Sequence, residues 1–195
     1  MKIAIYLFFL ISNLGFAQMP ETIIESSHPD YNCKRTKNTS FQKLAASFPL
    51  NKTSKIQLVS FVYVNTIFID NDGNQTHSII DSLPRIGNKL DYKNLKEVKN
   101  LELPKIIELS DILYNFNYDP KKDATFLGTS CYEPRNAIVF LDNQDNIVEY
   151  IEICFSCLGY HVFNKSKFGD FCTGKIDLIK NFFYANGIMY GVLKE

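Results

Sequence analysis

The 195-residue sequence contains no tryptophan, only three histidines and no excess of charge, with 21 basic against 21 acidic residues. Each shortage excludes something. Without a basic stripe or a net positive charge, the chain has no electrostatic footprint for nucleic acid or an acidic membrane surface. His28, His77 and His161 are its only imidazoles, and none stands in a catalytic pattern. The G-x-S-x-G elbow, the P-loop and the dinucleotide fingerprint are all missing. No apolar run reaches the ~20 residues that a membrane-spanning helix needs.

What the chain does have begins with an export signal. In "MKIAIYLFFLISNLGFA", residues 1–17, Lys2 precedes an apolar stretch over residues 3–11, and Gly15 and Ala17 supply small residues for cleavage before Gln18. The expected product is an exported, soluble protein of the periplasm or the cell exterior. Gln18, not a cysteine, stands directly after the cleavage point, so no lipid anchor and no membrane anchor after cleavage is expected. About 178 residues remain, with 20 basic and 21 acidic side chains, enough for one domain with a real core. Sixteen Phe and eleven Tyr predict that this core is rich in phenyl rings.

Residues 18–38 are polar, with two prolines and no apolar period, and read as an irregular arm before a single domain at 39–195. Phe41, Leu44, Ala45 and Phe48 follow a helical spacing behind Thr39 or Ser40 as N-cap, and Pro49 stops it. "KIQLVSFVYVNTIFI" and "QTHSII" read as strands joined by the tight-turn pair Asp72 and Gly73. A calcium loop from Asp70 fails on position: places six and twelve hold Gln75 and Asp81, and Gly73 falls at four. Ile106, Leu109, Ile112, Leu113 and Phe116 predict a helix with Pro104 in its first turn, and Ile176, Ile179, Phe182 and Phe183 predict another that ends at Asn186 and Gly187. "IMYGVL" reads as a closing strand. Strands in adjacent hairpins, with helices between the pairs, predict an α+β fold: a mainly antiparallel sheet with two or three packed helices, stabilised by disulfides.

Five cysteines follow the signal: Cys33, Cys131, Cys154, Cys157 and Cys172. In an oxidising compartment disulfides are their expected state, and two bridges among five thiols allow about 15 connectivities. "NAIVFLD" and "IVEYIEI" read as the arms of a hairpin. With a turn at residues 143–146, Asp142 faces Ile147 and Cys131 falls opposite Leu158; a three-residue turn at 143–145 puts Cys131 opposite Cys157. Opposed residues lie within bridging distance, so Cys131 with Cys157 is the first choice, and Cys154 could then pair with Cys172.

The same cysteines, with His161 as a substitute, could form a zinc cage, but only one Cys-x-x-Cys pair is present. A redox centre would need a helix after that pair, and "LGYHVF" does not read as one. Covalent haem would need His where Leu158 stands. No cofactor is therefore expected and no metal site is assigned. Cys131 and His161 could act as nucleophile and base, but no third residue is in view to orient them. Arg135 and Glu152, near Glu133 and Glu149, are the remaining candidates: a cross-strand ion pair, or a site where Arg135 holds a ligand carboxylate or phosphate.

These residues also carry a likeness. Cys131, Pro134, Arg135, Ile138 and Phe140, followed by Tyr150, Ile151, Ile153, Cys154, Phe155 and Cys157, form a CxxPRxxIxF and YIxICFxC pattern. The chain resembles a group of small exported bacterial proteins of unknown function that share it, and the likeness extends to "FGDFC" and "LIKNFF". The resemblance implies that Cys172 belongs with the hairpin cysteines and that Cys33 is the odd one. The function expected from the whole is a non-catalytic binding or interaction module whose partner is a protein or small ligand. The alternative is a thiol-disulfide or zinc protein using Cys154 and Cys157.

Overall fold

The computed structural model describes residues 33–64, 67–69, 75–77, 83–119, 132–164 and 166–193; the expected signal peptide, residues 18–32, the turn at 70–74 and Cys131 lie outside them. In chain order the elements are β1 (Cys33–Arg35), α1 (Phe41–Ala45), β2 (Lys55–Phe61), β3 (Ile67–Ile69), β4 (Gln75–His77), β5 (Arg85–Ile86), β6 (Lys89–Leu90), β7 (Leu95–Asn100), α2 (Leu103–Asn115), β8 (Phe116–Tyr118), β9 (Asn136–Leu141), β10 (Ile147–Cys154), β11 (Gly159–Val162) and α3 (Thr173–Ala185).

Five strands form one antiparallel sheet in the order β11, β10, β9, β2, β7. Strand β9, "NAIVFL", is buried at all six positions, because its alternate side chains serve two cores. Ile138 and Phe140 join Ile56, Leu58, Ile151 and Ile153 beneath α2 and α3, while Ala137, Val139 and Leu141 join Val59, Phe61 and Tyr150 on the opposite face. The helical stripes pack as their spacing predicts: Leu109, Ile112 and Leu113 of α2 and Ile176, Ile179, Phe182 and Phe183 of α3 are buried. The fold is α+β, with a mainly antiparallel sheet and, among the described residues, three helices and two disulfides. No helix among the described residues is long and apolar enough to cross a membrane.

Local chemistry explains where the elements stop. Helix α3 ends at Asn186, and Gly187 follows at φ +87°. The Gly187 N–H reaches Tyr184 O at 3.0 Å and the Ile188 N–H reaches Phe183 O at 3.1 Å, the paired bonds of a Schellman end, which favours glycine at the left-handed position. In the turn between β9 and β10, Asp142 Oδ1 accepts the N–H groups of Gln144 and Asn146, each at 2.8 Å. The Asn146 side-chain amide and then its backbone N–H hold the Asp142 carboxyl below the usual carboxylate range.

Three expectations are corrected, and one strand, β7, is not anticipated by the sequence. The arm at 18–38 is not wholly irregular, since β1 pairs with β8 through Cys33 opposite Tyr118, Lys34 opposite Asn117 and Arg35 opposite Phe116. Three residues are too few to show a period. Helix α1 ends at Ala45, short of Phe48, which is exposed. Strand β7, "LKEVKN", is an edge strand with lysines and little apolar content, so it carries no strand signal of its own. The closing strand reduces to a single bridge residue, Tyr190.

That last segment docks on a polar row instead. Glu97 of β7, Ser60 of β2 and Asn136 of β9 are paired neighbours across three strands. Ser60 Oγ donates to Glu97 at 2.6 Å, the Met189 and Tyr190 N–H groups donate to the same carboxylate at 3.1 and 3.0 Å, and Asn136 Nδ2 donates to Tyr190 O at 2.9 Å. Replacing Glu97 by Ala strands those donors, and the expected cost is about 1–3 kcal/mol. Urea denaturation should show that loss, and amide exchange should quicken at Met189 and Tyr190.

Candidate functional site

From Glu149 to Ile153 the β9–β10 ladder keeps the register expected for a turn at 143–146: Glu149 faces Phe140 and Ile153 faces Asn136. Near the turn Leu141 faces Ile147, and a bulge between Ile147 and Glu149 absorbs the difference. Strand β10 then turns straight into β11, with Cys154 opposite Gly159. The Cys-x-x-Cys segment is therefore the turn of a second hairpin. That turn brings Cys154 and Cys157 to a Cα separation of 5.2 Å, and they are bonded to each other. Leu158 takes φ +53° to close it, and Gly159 lies against the Tyr132 ring where a Cβ would collide.

The expected pairings, Cys131 with Cys157 and Cys154 with Cys172, are thereby corrected. Cys131 itself lies outside the described residues. Cys33 is not the odd cysteine: β1 carries it to the start of α3, where it is bonded to Cys172 at a Cα separation of 5.8 Å. Register arguments from the β9–β10 hairpin alone could not find this, because both partners of the second bridge lie outside that hairpin.

Arg135 and Glu152 do not clamp each other. Arg135 pairs with Glu133 at 3.3 Å. Glu152 faces Ala137 on one side and His161 on the other; its buried carboxylate accepts the Leu83 N–H at 2.5 Å and lies 3.5 Å from the Tyr132 hydroxyl. The alternation of β10 turns Glu152 inward, beneath the segment that starts at Leu83, and away from a surface where a ligand anion could be shared. Glu149 is also buried, accepting the N–H groups of Tyr150 at 3.0 Å and Asn164 at 2.8 Å, with the Ser166 hydroxyl as a further donor. Burial first, and then the Glu149 charge, push the Tyr114 hydroxyl up to about 12.

The pairing of Cys131 with His161 as nucleophile and base falls on a residue outside the description, and His161 is exposed. Cys154 and Cys157, bonded to each other, present no thiolates to zinc, and among the described residues no cluster of three or more His, Cys, Asp or Glu side chains is placed to hold a metal.

Two features escaped the sequence. The first is Lys175, fully buried, with Nζ donating to Leu113 O at 2.8 Å and Phe168 O at 3.0 Å and lying 5.0 Å from the centre of the Phe171 ring. Burial dominates its titration and draws the ammonium down to about 7; Lys37 acts in the same direction and Asp170 opposes. The polar Lys175 sits among the apolar positions of α3, and a helical period cannot tell an inward lysine from an outward one.

The second is a cleft of about 450 Å³ between the segment that follows β1, helix α1 and helix α2. Phe41, Leu44, Pro104 and Ile107 supply its apolar lining, and Arg35, Glu108 and Asp111 its charges. Asn115 fastens the walls together. Its Oδ1 accepts the Thr39 N–H at 2.9 Å, and its Nδ2 donates to Thr39 O at 3.1 Å and Asp111 Oδ1 at 2.7 Å. Arg35 adds a two-pronged pair with Asp111, one prong at 2.8 Å. Comparison of the chain with protein-family models, curated proteins and solved structures found no match.

Lys175 generates a prediction with a definite sign. Its folded pKa lies below the ordinary lysine value, so between about pH 7 and 10.5 the unfolded chain binds more protons and stability rises with pH. Unfolding free energies from denaturant titrations at pH 6.5 to 9.5 should climb above about pH 7, by roughly several kcal/mol at most, and K175M should flatten that climb. A wild-type free energy that stays level across this range would contradict a neutralised Lys175.

Proposed function

We propose that the protein is an exported, non-catalytic binding module whose small-molecule ligand sits in the cleft between β1, α1 and α2. The cleft itself carries this reading. Its volume is in the range that small ligands fill, four of its lining residues are apolar, and a few polar groups stand at fixed positions around it. Preorganisation supports the same reading, because Asn115 and the Arg35–Asp111 pair hold the two walls before any ligand arrives. Asp111 is paired with Arg35 and Glu108 with Lys105, so the charges of the lining are compensated and favour a ligand whose apolar body does most of the binding. Export is supported by the two bridges, since disulfides persist in oxidising compartments.

Exchange chemistry at Cys154 and Cys157 is a second reading, favoured by one observation: the two are bonded to each other. Against it, a strand follows the pair where a thiolate-stabilising helix is needed, and both residues are buried.

The binding reading is tested by nitrogen–proton correlation spectra with phenethylamine and phenylacetate as probes. Millimolar phenethylamine and phenylacetate should both shift the amides of Thr39, Ile107 and Asp111, and I107K should abolish the response. Ile107 is exposed, so that substitution leaves the fold intact. Amides that do not move, or shifts scattered over the surface, would count against the cleft.

A further inference from the structure

Two bridges occur among the described residues, and they differ in access. Cys154, Cys157 and Cys172 are 1%, 4% and 0% exposed, whereas Cys33 is only partly buried. An incoming thiolate therefore meets the Cys33–Cys172 bridge at Cys33. The other bridge offers no comparable approach, because it is folded into its own hairpin turn with both residues covered.

The surroundings of Cys33–Cys172 also suit exchange. Cys172 is the N-cap of α3, a helix of 13 residues whose first turn holds no acidic side chain. The Lys175 N–H, in the first turn of the helix, is shared between Cys172 O at 2.9 Å and Cys33 Sγ at 3.1 Å. The helix has no side-chain cap of its own, so the Cys33 sulfur takes that place from another element. A negative charge on either sulfur would be favoured by the helix start, and a favoured thiolate is a better leaving group. Titratable groups surround this corner, Tyr160 of β11 among them, stacked on Phe171 beside Cys172. Lys175 comes from α3, Lys37 from the segment after β1, Asp170 from the segment before α3, and Tyr118 lies opposite Cys33 on β8. With the Lys175 ammonium drawn down to about 7, Lys37 and Asp170 offset each other, and the start of the helix is the remaining source of positive field at the two sulfurs.

We propose that Cys33–Cys172 is an exchangeable disulfide that accepts two electrons from an external dithiol, while Cys154–Cys157 is a structural staple. One thiolate of the dithiol attacks Cys33 Sγ, forming a mixed disulfide and expelling Cys172 as a thiolate that takes up a proton. The second thiol of the reductant, losing its proton, then attacks its own mixed-disulfide sulfur and releases reduced Cys33. The reductant leaves as a disulfide, and the protein holds two thiols. This activity is independent of ligand binding in the cleft.

The test uses the whole protein. After thiols already free are blocked with N-ethylmaleimide, the native protein is incubated with graded dithiothreitol, quenched in acid, labelled with a second, mass-shifted maleimide and mapped by peptide mass. Cys33 and Cys172 should take the second label together at dithiothreitol concentrations about tenfold lower than Cys154 and Cys157. Simultaneous opening, or earlier opening of Cys154–Cys157, overturns the proposal. A second measurement isolates the environment of the sulfur. In C172S, the pH midpoint for alkylation of Cys33 by iodoacetamide should fall about one pH unit or more below the ordinary thiol value of about 8.5. A midpoint at or above the ordinary value would also overturn it.

Discussion

Strand β9 is where the structure is decided. Both of its edges are spent in antiparallel ladders, with β2 on one side and β10 on the other, and all six of its side chains are buried. A strand in that position leaves no face for solvent, so each neighbouring element must bring its own apolar surface. Helices α2 and α3 do so on one side, and the Leu83 to Leu90 segment contributes to the other. The buried carboxylates are accommodated by backbone donors, Glu152 by Leu83 and Glu149 by Tyr150 and Asn164, and the half-buried Glu97 takes Met189 and Tyr190 in the same way. Buried carboxylates are tolerated only with such partners. Here they fasten loops and the final segment onto the sheet.

Much of this architecture is legible in the sequence because it depends on period. The stripes of α2 and α3, the alternation of β9 and β10, and the glycine stop after Asn186 all follow from local geometry that side-chain spacing records. The register of the β9–β10 arms is also legible, since polar turn residues and paired apolar runs leave few choices. What escapes is whatever depends on one contact between distant segments. Strand β7 is polar because it lies at an edge, β1 is too short to show alternation, and the partner of Cys33 depends on where the chain before α3 comes to rest. Lys175 escapes for a different reason: its burial depends on the carbonyls of Leu113 and Phe168, which belong to other segments.

The candidate sites divide in the same way. Arg135, Glu152 and the Cys-x-x-Cys stand out in the sequence because their residue types suggest chemistry, yet the fold uses them for closure: a surface ion pair, an inward carboxylate and a stapled turn. The cleft carries no such signature. Asn115, Thr39 and Ile107 are ordinary residues made specific only by the meeting of α2 with the segment after β1. A binding surface assembled this way owes its shape to the fold and leaves little trace in spacing.

The two bridges also differ in when each partner becomes available. Cys154 and Cys157 are three residues apart, so they can meet as soon as that stretch of chain emerges. Cys33 must wait for 139 further residues before Cys172 exists. During synthesis Cys33 is therefore without its native partner for most of the time, exposed to pairing with whatever thiol comes first. Correct oxidation then depends on the sheet having already drawn α3 toward β1 and β8. The distant bridge thus records that folding is complete, whereas the local one can form in a chain that has scarcely begun to fold.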